Sequence, residues 1–261
     1  MTDFPILMYH ALTTERPTEQ YAVAAESFRG QMQRIANLGK RGVSLDDMAL
    51  GKAAGETDVV LSFDDGHSSN ATLALPILKQ FGFTATFFVT TAHVGTNRDW
   101  LNWEQLAALR DQGMDLQAHG HTHRFFSELS DAELDQELSL PREAFARRLG
   151  HDVRHLSVPG GRFDGRTVLR AGSAGYRSLS SSIPGVNRLS PDRPQAVLKR
   201  VLVHQTTSAQ QFERVVCRDL KYLRQMAFRY RVKQGIRRLL GNRAYYALWS
   251  AANRKGGIAD G

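Results

Sequence analysis

Cysteine is almost missing from this sequence: Cys217 is the single one in 261 residues. No intrachain disulfide can form, so the fold must rest on burial rather than on cross-links, and a reducing compartment is permitted. Long hydrophobic runs are missing as well, and no stretch approaches the roughly 20 apolar residues of a membrane span. The first residues, Met1-Thr2-Asp3-Phe4, lack a basic region ahead of their short apolar run and do not read as a signal peptide. These absences place the expected location in the cytoplasm. Acidic side chains are scarce only at one end. Ten of the 34 Lys and Arg lie from Lys221 onward, where Asp260 is the sole acid, so the first 220 residues carry 24 bases against 25 acids. A protein that read nucleic acid through its main domain would show the basic excess there, and no nucleic-acid partner is expected. Internal repeats and low-complexity tracts are absent too.

What the chain does contain is a regular alternation of strand and helix signals. Phe4 to Tyr9 reads as a first strand, Val59 to Phe63 as a second, Thr84 to Val89 as a third and Met114 to Ala118 as a fourth. His155 to Val158, Tyr176 to Ser180 and Leu198 to Val203 supply three more. Between them lie helical stripes such as Phe28, Met32, Ile35 and Leu38, and a capping box at Ser130 and Glu133 that opens a helix running to Gly150. A last long helix is expected through Phe212, Val216, Leu220 and Leu223. Strands alternating with helices predict a parallel sheet, and about seven units predict an α/β fold of the distorted (β/α)7 TIM-like barrel kind.

Parallel barrels carry their chemistry at the C-terminal ends of the strands. His10, Asp64 with Asp65, His119, Pro159-Gly160 and His204 all fall at such ends, so five strands direct reactive groups to one rim. The sharpest signal is Val59-Val60-Leu61-Ser62-Phe63-Asp64-Asp65-Gly66. Two adjacent carboxylates after a buried strand repel each other and lose hydration unless a cation or a proton offsets them. One Asp would suffice to cap the next helix; two suggest a metal ligand beside a general base. Ala118-His119-Gly120-His121-Thr122-His123 is the second signal. Either an extended or a helical course can offer two of its imidazoles to one cation, and spacing alone does not choose which two. Two imidazoles and a carboxylate suit catalytic Zn²⁺, and Co²⁺, Ni²⁺ or Mn²⁺ would accept the same ligands.

Ser62-Phe63-Asp64-Asp65-Gly66 followed by His119-Gly120-His121-Thr122-His123 resembles the polysaccharide deacetylase family, the fourth family of carbohydrate esterases. The resemblance covers roughly residues 4 to 220. It implies that Asp64 is the general base, that Asp65, His119 and His123 hold the metal, and that His121 lies outside its ligand shell. It further implies metal-assisted hydrolysis of the acetamide of an N-acetylated carbohydrate, with the backbone N–H of Gly160 after Pro159 at the oxyanion. Two histidines compete for the acid that protonates the leaving amine. Tyr9-His10 resembles the first-strand pair of poly-N-acetylglucosamine deacetylases, whereas Leu202-Val203-His204 fits the Leu-x-His pattern of other branches; His10 is preferred for its longer match. The family's Arg-x-Pro-Tyr pattern, whose arginine braces the base, reads Ser157-Val158-Pro159-Gly160 here. Arg162 or Arg200 could take that arginine's place, and without either Asp64 would keep a higher pKa. Trp100, Trp103, Phe125 and Phe126 are candidates to stack on sugar rings, and Trp103 is the one taken forward for substrate binding. The missing arginine and tyrosine also leave room for a sugar-binding relative without turnover, and the scaffold for a hydrolase of another small amide.

The chain divides on composition into a catalytic domain over 1–226 and a basic tail over 227–261. Val232, Ile236, Leu239 and Leu240 make an apolar stripe among Arg231, Lys233, Arg237, Arg238 and Arg243, with Tyr245, Tyr246 and Trp249 beyond. This pattern is compatible with peripheral contact to an anionic membrane surface. A helix packed on the barrel with its basic face in water fits equally well.

Overall fold

The structure, a computed structural model, describes residues 3–17, 19, 21–189 and 196–236. Its parallel strands run in the order Phe4–Tyr9, Asp58–Phe63, Thr86–Val89, Asp115–Ala118, His155–Ser157, Ser178–Ser180 and Ala196–Leu198. Val201–Leu202 then pairs in parallel with Phe4–Tyr9, with Leu7 opposite Val201, and returns the circuit to its start. The result is the distorted, nearly closed (β/α)7 barrel that the spacing predicts.

The last strand departs from expectation. Leu198 to Val203 is two short pieces, Ala196–Leu198 and Val201–Leu202, interrupted at Lys199-Arg200. Arg200, two residues after inward-facing Leu198, points into the barrel, where it is 1% exposed, while its backbone N–H donates to the Ile183 carbonyl.

Alternation along each strand sorts the side chains. Val59, Leu61 and Phe63 join the large core beneath the helices, whereas Val60 joins Phe4, Ile6, Phe88 and Leu198 in a second cluster. Ser62 and Asp64 continue the Val60 face and are buried with it. On the facing strands Leu116, Leu156 and Leu179 belong to the large core. Their neighbours Gln117, Ser157, Ser178 and Ser180 point the other way and are buried as well. One half of the barrel interior is therefore apolar and the other half polar, and the polar half leads up to the strand ends.

The helix Ala25–Asn37 buries Phe28, Met32 and Ile35, as its spacing predicts. The Ser130–Glu133 capping box forms and opens Asp131–Leu149, which ends at Gly150 in the left-handed conformation. The segment between Gly39 and Val59 holds elements its sequence did not announce: a short strand, Arg41–Val43, and a short helix, Leu45–Ala49, capped by Ser44. The long helix expected through Leu223 also breaks. Ala209–Val216 ends at Cys217, Arg218 takes a φ of 59°, and Leu220 is 46% exposed rather than on a buried stripe. Asp219 accepts from the Tyr222 N–H and opens a new helix over 220–236. Tyr222, Leu223 and Met226 pack on the core. Leu239, Leu240, Arg237, Arg238, Arg243, Tyr245, Tyr246 and Trp249 of the expected tail stripe lie outside the described residues. No helix among those described is long and apolar enough to cross a membrane.

Candidate metal centre and active site

The backbone separates the adjacent carboxylates. Asp65 has a φ of 76°, a left-handed conformation that an Asp adopts only under constraint. It swings the Asp65 side chain away from Asp64, which stays on the inner face of the barrel. Neither caps a helix: the next helical turn, Asn70–Ala74, begins at Ser69.

Asp65 Oδ1 lies 3.2 Å from Nε2 of His119 and 3.2 Å from Nε2 of His123. His123 reaches this position through a φ of 64°. Oδ1 is buried and takes a hydrogen bond from neither ring. For His119 the chemistry explains why. Its Nδ1 donates to the Ser157 carbonyl at 2.8 Å, so in the neutral ring Nε2 presents a lone pair toward Asp65. Lone pairs facing one another across 3.2 Å repel unless positive charge sits between them. A tetrahedral ion bound at about 2.05 Å spaces its ligand atoms by about 3.3 Å. The three groups therefore fit a divalent cation, and they are the His, Asp and Glu cluster with metal-binding geometry among the described residues. Without a cation the carboxylates draw a proton instead. Burial lowers the His119 pKa, but Asp64 and Asp65 raise it further, leaving it above the usual imidazole value. Burial raises Asp65, and the two imidazoles more than reverse that, holding it well below the carboxylate range.

Arg200 supplies the arginine that Ser157 does not. Its Nη1 donates to Asp64 Oδ1 at 2.7 Å and its Nη2 to Oδ2 at 2.8 Å, a bidentate pair within the barrel. Ser157 Oγ accepts from Nη2 at 2.8 Å and donates to Asp64 Oδ2 at 3.0 Å. The small residue at 157 thus completes the bridge that a longer side chain there would displace. With Arg200 as that partner the Asp64 pKa is low: burial pushes it up, Arg200 and His119 pull it down further, and it settles at about 2. Arg162, the other candidate, instead pairs with Glu128 at 2.8 Å and stacks on Phe125.

A buried acid, Glu137, holds the histidine loop. It accepts from the His121 N–H at 2.6 Å, the Thr122 N–H at 2.9 Å and the Thr122 hydroxyl. Gly120 allows this approach, since a Cβ there would sit 2.9 Å from Glu137 Oε2 in a residue with φ of 72°. His121 itself turns to Thr91, 2.9 Å from its hydroxyl, and stands outside the cluster. Sequence reasoning missed Glu137, although a signal existed: it falls in register with Leu134, Leu138, Pro141 and Phe145, an acid on the buried face of its helix. Replacing Glu137 by Gln should loosen the loop and weaken Zn²⁺ binding about 10- to 100-fold with the fold retained. Titration calorimetry against the parent protein checks this.

The rim completes the site. The His10 ring stacks on Tyr21 at 5.0 Å, and His204 lies 6.3 Å from the same tyrosine. His10 feels the field of the cluster. Burial lowers its pKa, and Asp64 and Asp65 oppose that only in part. Pro159–Gly161 forms a single 3-10 turn. Gly160 has φ of 60°, and a Cβ there would lie 2.6 Å from the Phe125 ring, so the tyrosine expected at this position has no room. Trp103 packs edge-on against Phe145 at 5.7 Å and is half-buried against the core. Phe126 is fully buried. Trp100 is half-buried beside His93, at 4.5 Å, and His93 lies 6.4 Å from His123. Tyr21 on His10 and Trp100 on His93 thus bring aromatic groups to the rim.

Comparison with known proteins adds an independent line. The sequence profile of the family described as polysaccharide deacetylase matches residues 51–179. The Bacillus subtilis (strain 168) protein YxkH, by its description a polysaccharide deacetylase, is 26% identical over 212 residues, covering 80% of this chain and 74% of its own. A poly-β-1,6-N-acetyl-D-glucosamine N-deacetylase from Staphylococcus epidermidis is 26% identical over 118 residues, 42% of this chain and 41% of that protein. Among solved structures, the Streptococcus pyogenes deacetylase PplD in complex with acetate superposes with a TM-score of 0.74 at 22% identity. That match covers 82% of this chain and 98% of PplD, and at such identity it speaks for the fold.

Proposed function

This chain belongs to the polysaccharide deacetylase family, and on that footing we propose that it is a metal-dependent N-deacetylase of an amino-sugar polysaccharide, oligosaccharide or glycan precursor. The observation that carries the reading is the convergence of Asp65 Oδ1 and two imidazole Nε2 atoms beside a carboxylate fixed by Arg200. The amide character of the substrate rests on the amino-sugar N-deacetylase among the relatives and on the Tyr9-His10 pair at the first strand end.

Asp65, His119 and His123 would hold a divalent ion, Zn²⁺ being the first choice for this ligand set. When bound, such an ion supplies Lewis acidity to a carbonyl and acidity to a water. Asp64 is ionised at neutral pH, and Oδ1 accepts one hydrogen bond from Arg200, so a lone pair remains to take a proton from the attacking water. The Arg200 fork and the Ser157 hydroxyl keep that carboxylate from turning. His10, stacked on Tyr21, would protonate the departing amine when it carries a proton, and the pKa lowered by burial would make that proton easy to give up. The Gly160 turn would present its backbone N–H to the oxyanion. Arg200 on Asp64, in place of the absent motif arginine, supports turnover over a sugar-binding relative without it.

The test is acetate release from N-acetylglucosamine oligomers and polymers by protein reconstituted with Zn²⁺, Co²⁺, Ni²⁺ or Mn²⁺. Release should stop on chelation and return with metal. His10→Gln should lower kcat about a hundredfold while His204→Gln stays within a few-fold. The opposite pattern would move the acid to His204. Hydrolysis of small amides with no acetate from any sugar would replace the substrate class.

A further inference from the structure

We infer that the helix over 220–236 docks the protein on an anionic lipid surface through a second apolar face that the barrel does not use. Residues on a helix advance by about 100° each. Leu223 is buried, and Tyr222 and Met226 pack beside it on the core, which fixes the inward face. Phe228, Val232 and Ile236, spaced four apart, form one stripe on the opposite side and are 66%, 45% and 45% exposed. Three large apolar side chains in a row on the outward face of a packed helix are not required for folding, and they lose free energy in water.

The charges around the stripe identify what covers it. By the same angular advance, Arg229 and Lys233 lie along one flank of the stripe, and Arg224 and Arg231 along the other. From Lys221 to Ile236 there is no acid, and the sequence continues with Arg237, Arg238 and Arg243 and no acid until Asp260. An apolar stripe between two basic flanks matches the boundary of an anionic bilayer, where aliphatic and aromatic groups enter the acyl region and guanidinium groups meet phosphate. A second copy of this chain would bring both basic flanks together in a two-fold contact, an arrangement that repels. Nucleic acid would satisfy the arginines but has no use for a Phe-Val-Ile stripe. The inference stands independently of the barrel's chemistry.

The full-length protein is tested by sedimentation with vesicles of phosphatidylcholine alone and of phosphatidylcholine with phosphatidylglycerol. Binding is expected only with phosphatidylglycerol and should weaken as salt rises. Phe228→Ser, Val232→Ser and Ile236→Ser combined should abolish it. Arg229→Gln, Arg231→Gln and Lys233→Gln combined should weaken it about a hundredfold, near the sum of three surface charges. Both variants should keep the parent's metal content and acetate release from soluble oligomers. No binding to either vesicle, or binding that the serine variant leaves unchanged, would overturn the inference. So would a parent dimer that the serine variant converts to monomer, or vesicle binding matched by equal affinity for a DNA duplex.

Discussion

Asp64→Asn is expected to lower acetate release about a hundred- to ten-thousandfold while one divalent ion per chain is retained. The amide is nearly isosteric but cannot take a proton from water at neutral pH, and Asp65, His119 and His123 are untouched. The same change has a structural consequence. Arg200 has a side chain 0% exposed, and its charge is met by Asp64, itself 4% exposed. A neutral Asn leaves that guanidinium buried without a counter-ion, which costs about 3–5 kcal/mol when one partner of a buried pair is removed. In a domain of this size that lowers Tm by about 10 °C. Lost activity could then be mistaken for lost fold. The double variant Asp64→Asn with Arg200→Met separates the two: it removes both charges, should regain most of the lost Tm, and should remain inactive. Recovery of turnover in the double variant would show that Asp64 is not the base.

Arg200→Met alone is the second large effect. It leaves Asp64 buried with the Ser157 hydroxyl as its remaining donor, and the expected loss is again about 3–5 kcal/mol, read as a fall in the urea midpoint. Turnover should fall as well, because the carboxylate loses the two-point hold that fixes its direction. Arg200→Lys distinguishes charge from geometry. A lysine restores a cation but not the planar fork, so stability should recover further than kcat. Equal recovery of both would mean that Arg200 serves only to balance charge. Ser157→Ala, which removes one bridging hydroxyl from the same network, should cost about 1–2 kcal/mol by comparison.

Much of this was legible from residue order. Strand ends in a parallel barrel share one rim, so a carboxylate pair after Val59 to Phe63 and a histidine run after Met114 to Ala118 were bound to meet if the chain folded as such a barrel. The capping box at Ser130 and Glu133, the stop at Gly150 and the buried stripe of Ala25–Asn37 were local signals, and they hold because capping and periodicity act within a few residues. Where the sequence misled, a long-range contact had overruled a local one. Leu198 to Val203 carries strand propensity throughout, yet its ladder is interrupted at Lys199 and Arg200, where the Arg200 N–H donates to the Ile183 carbonyl and its guanidinium meets a carboxylate 136 residues earlier. Phe212 to Leu223 carries helix periodicity, yet it breaks at Arg218, whose guanidinium reaches the carbonyls of Asp3 and Gly55.

The sequence by itself determined the fold class, the rim, and the residue types able to hold a cation, because each depends on spacing along one strand or helix. Only the tertiary structure decided which arginine braces Asp64, that Glu137 clamps the histidine loop, and that Trp103 packs on Phe145 while Tyr21 stacks on His10. Those outcomes depend on distances between segments far apart in the chain. Such distances are set by barrel closure and close packing, and no local pattern encodes them.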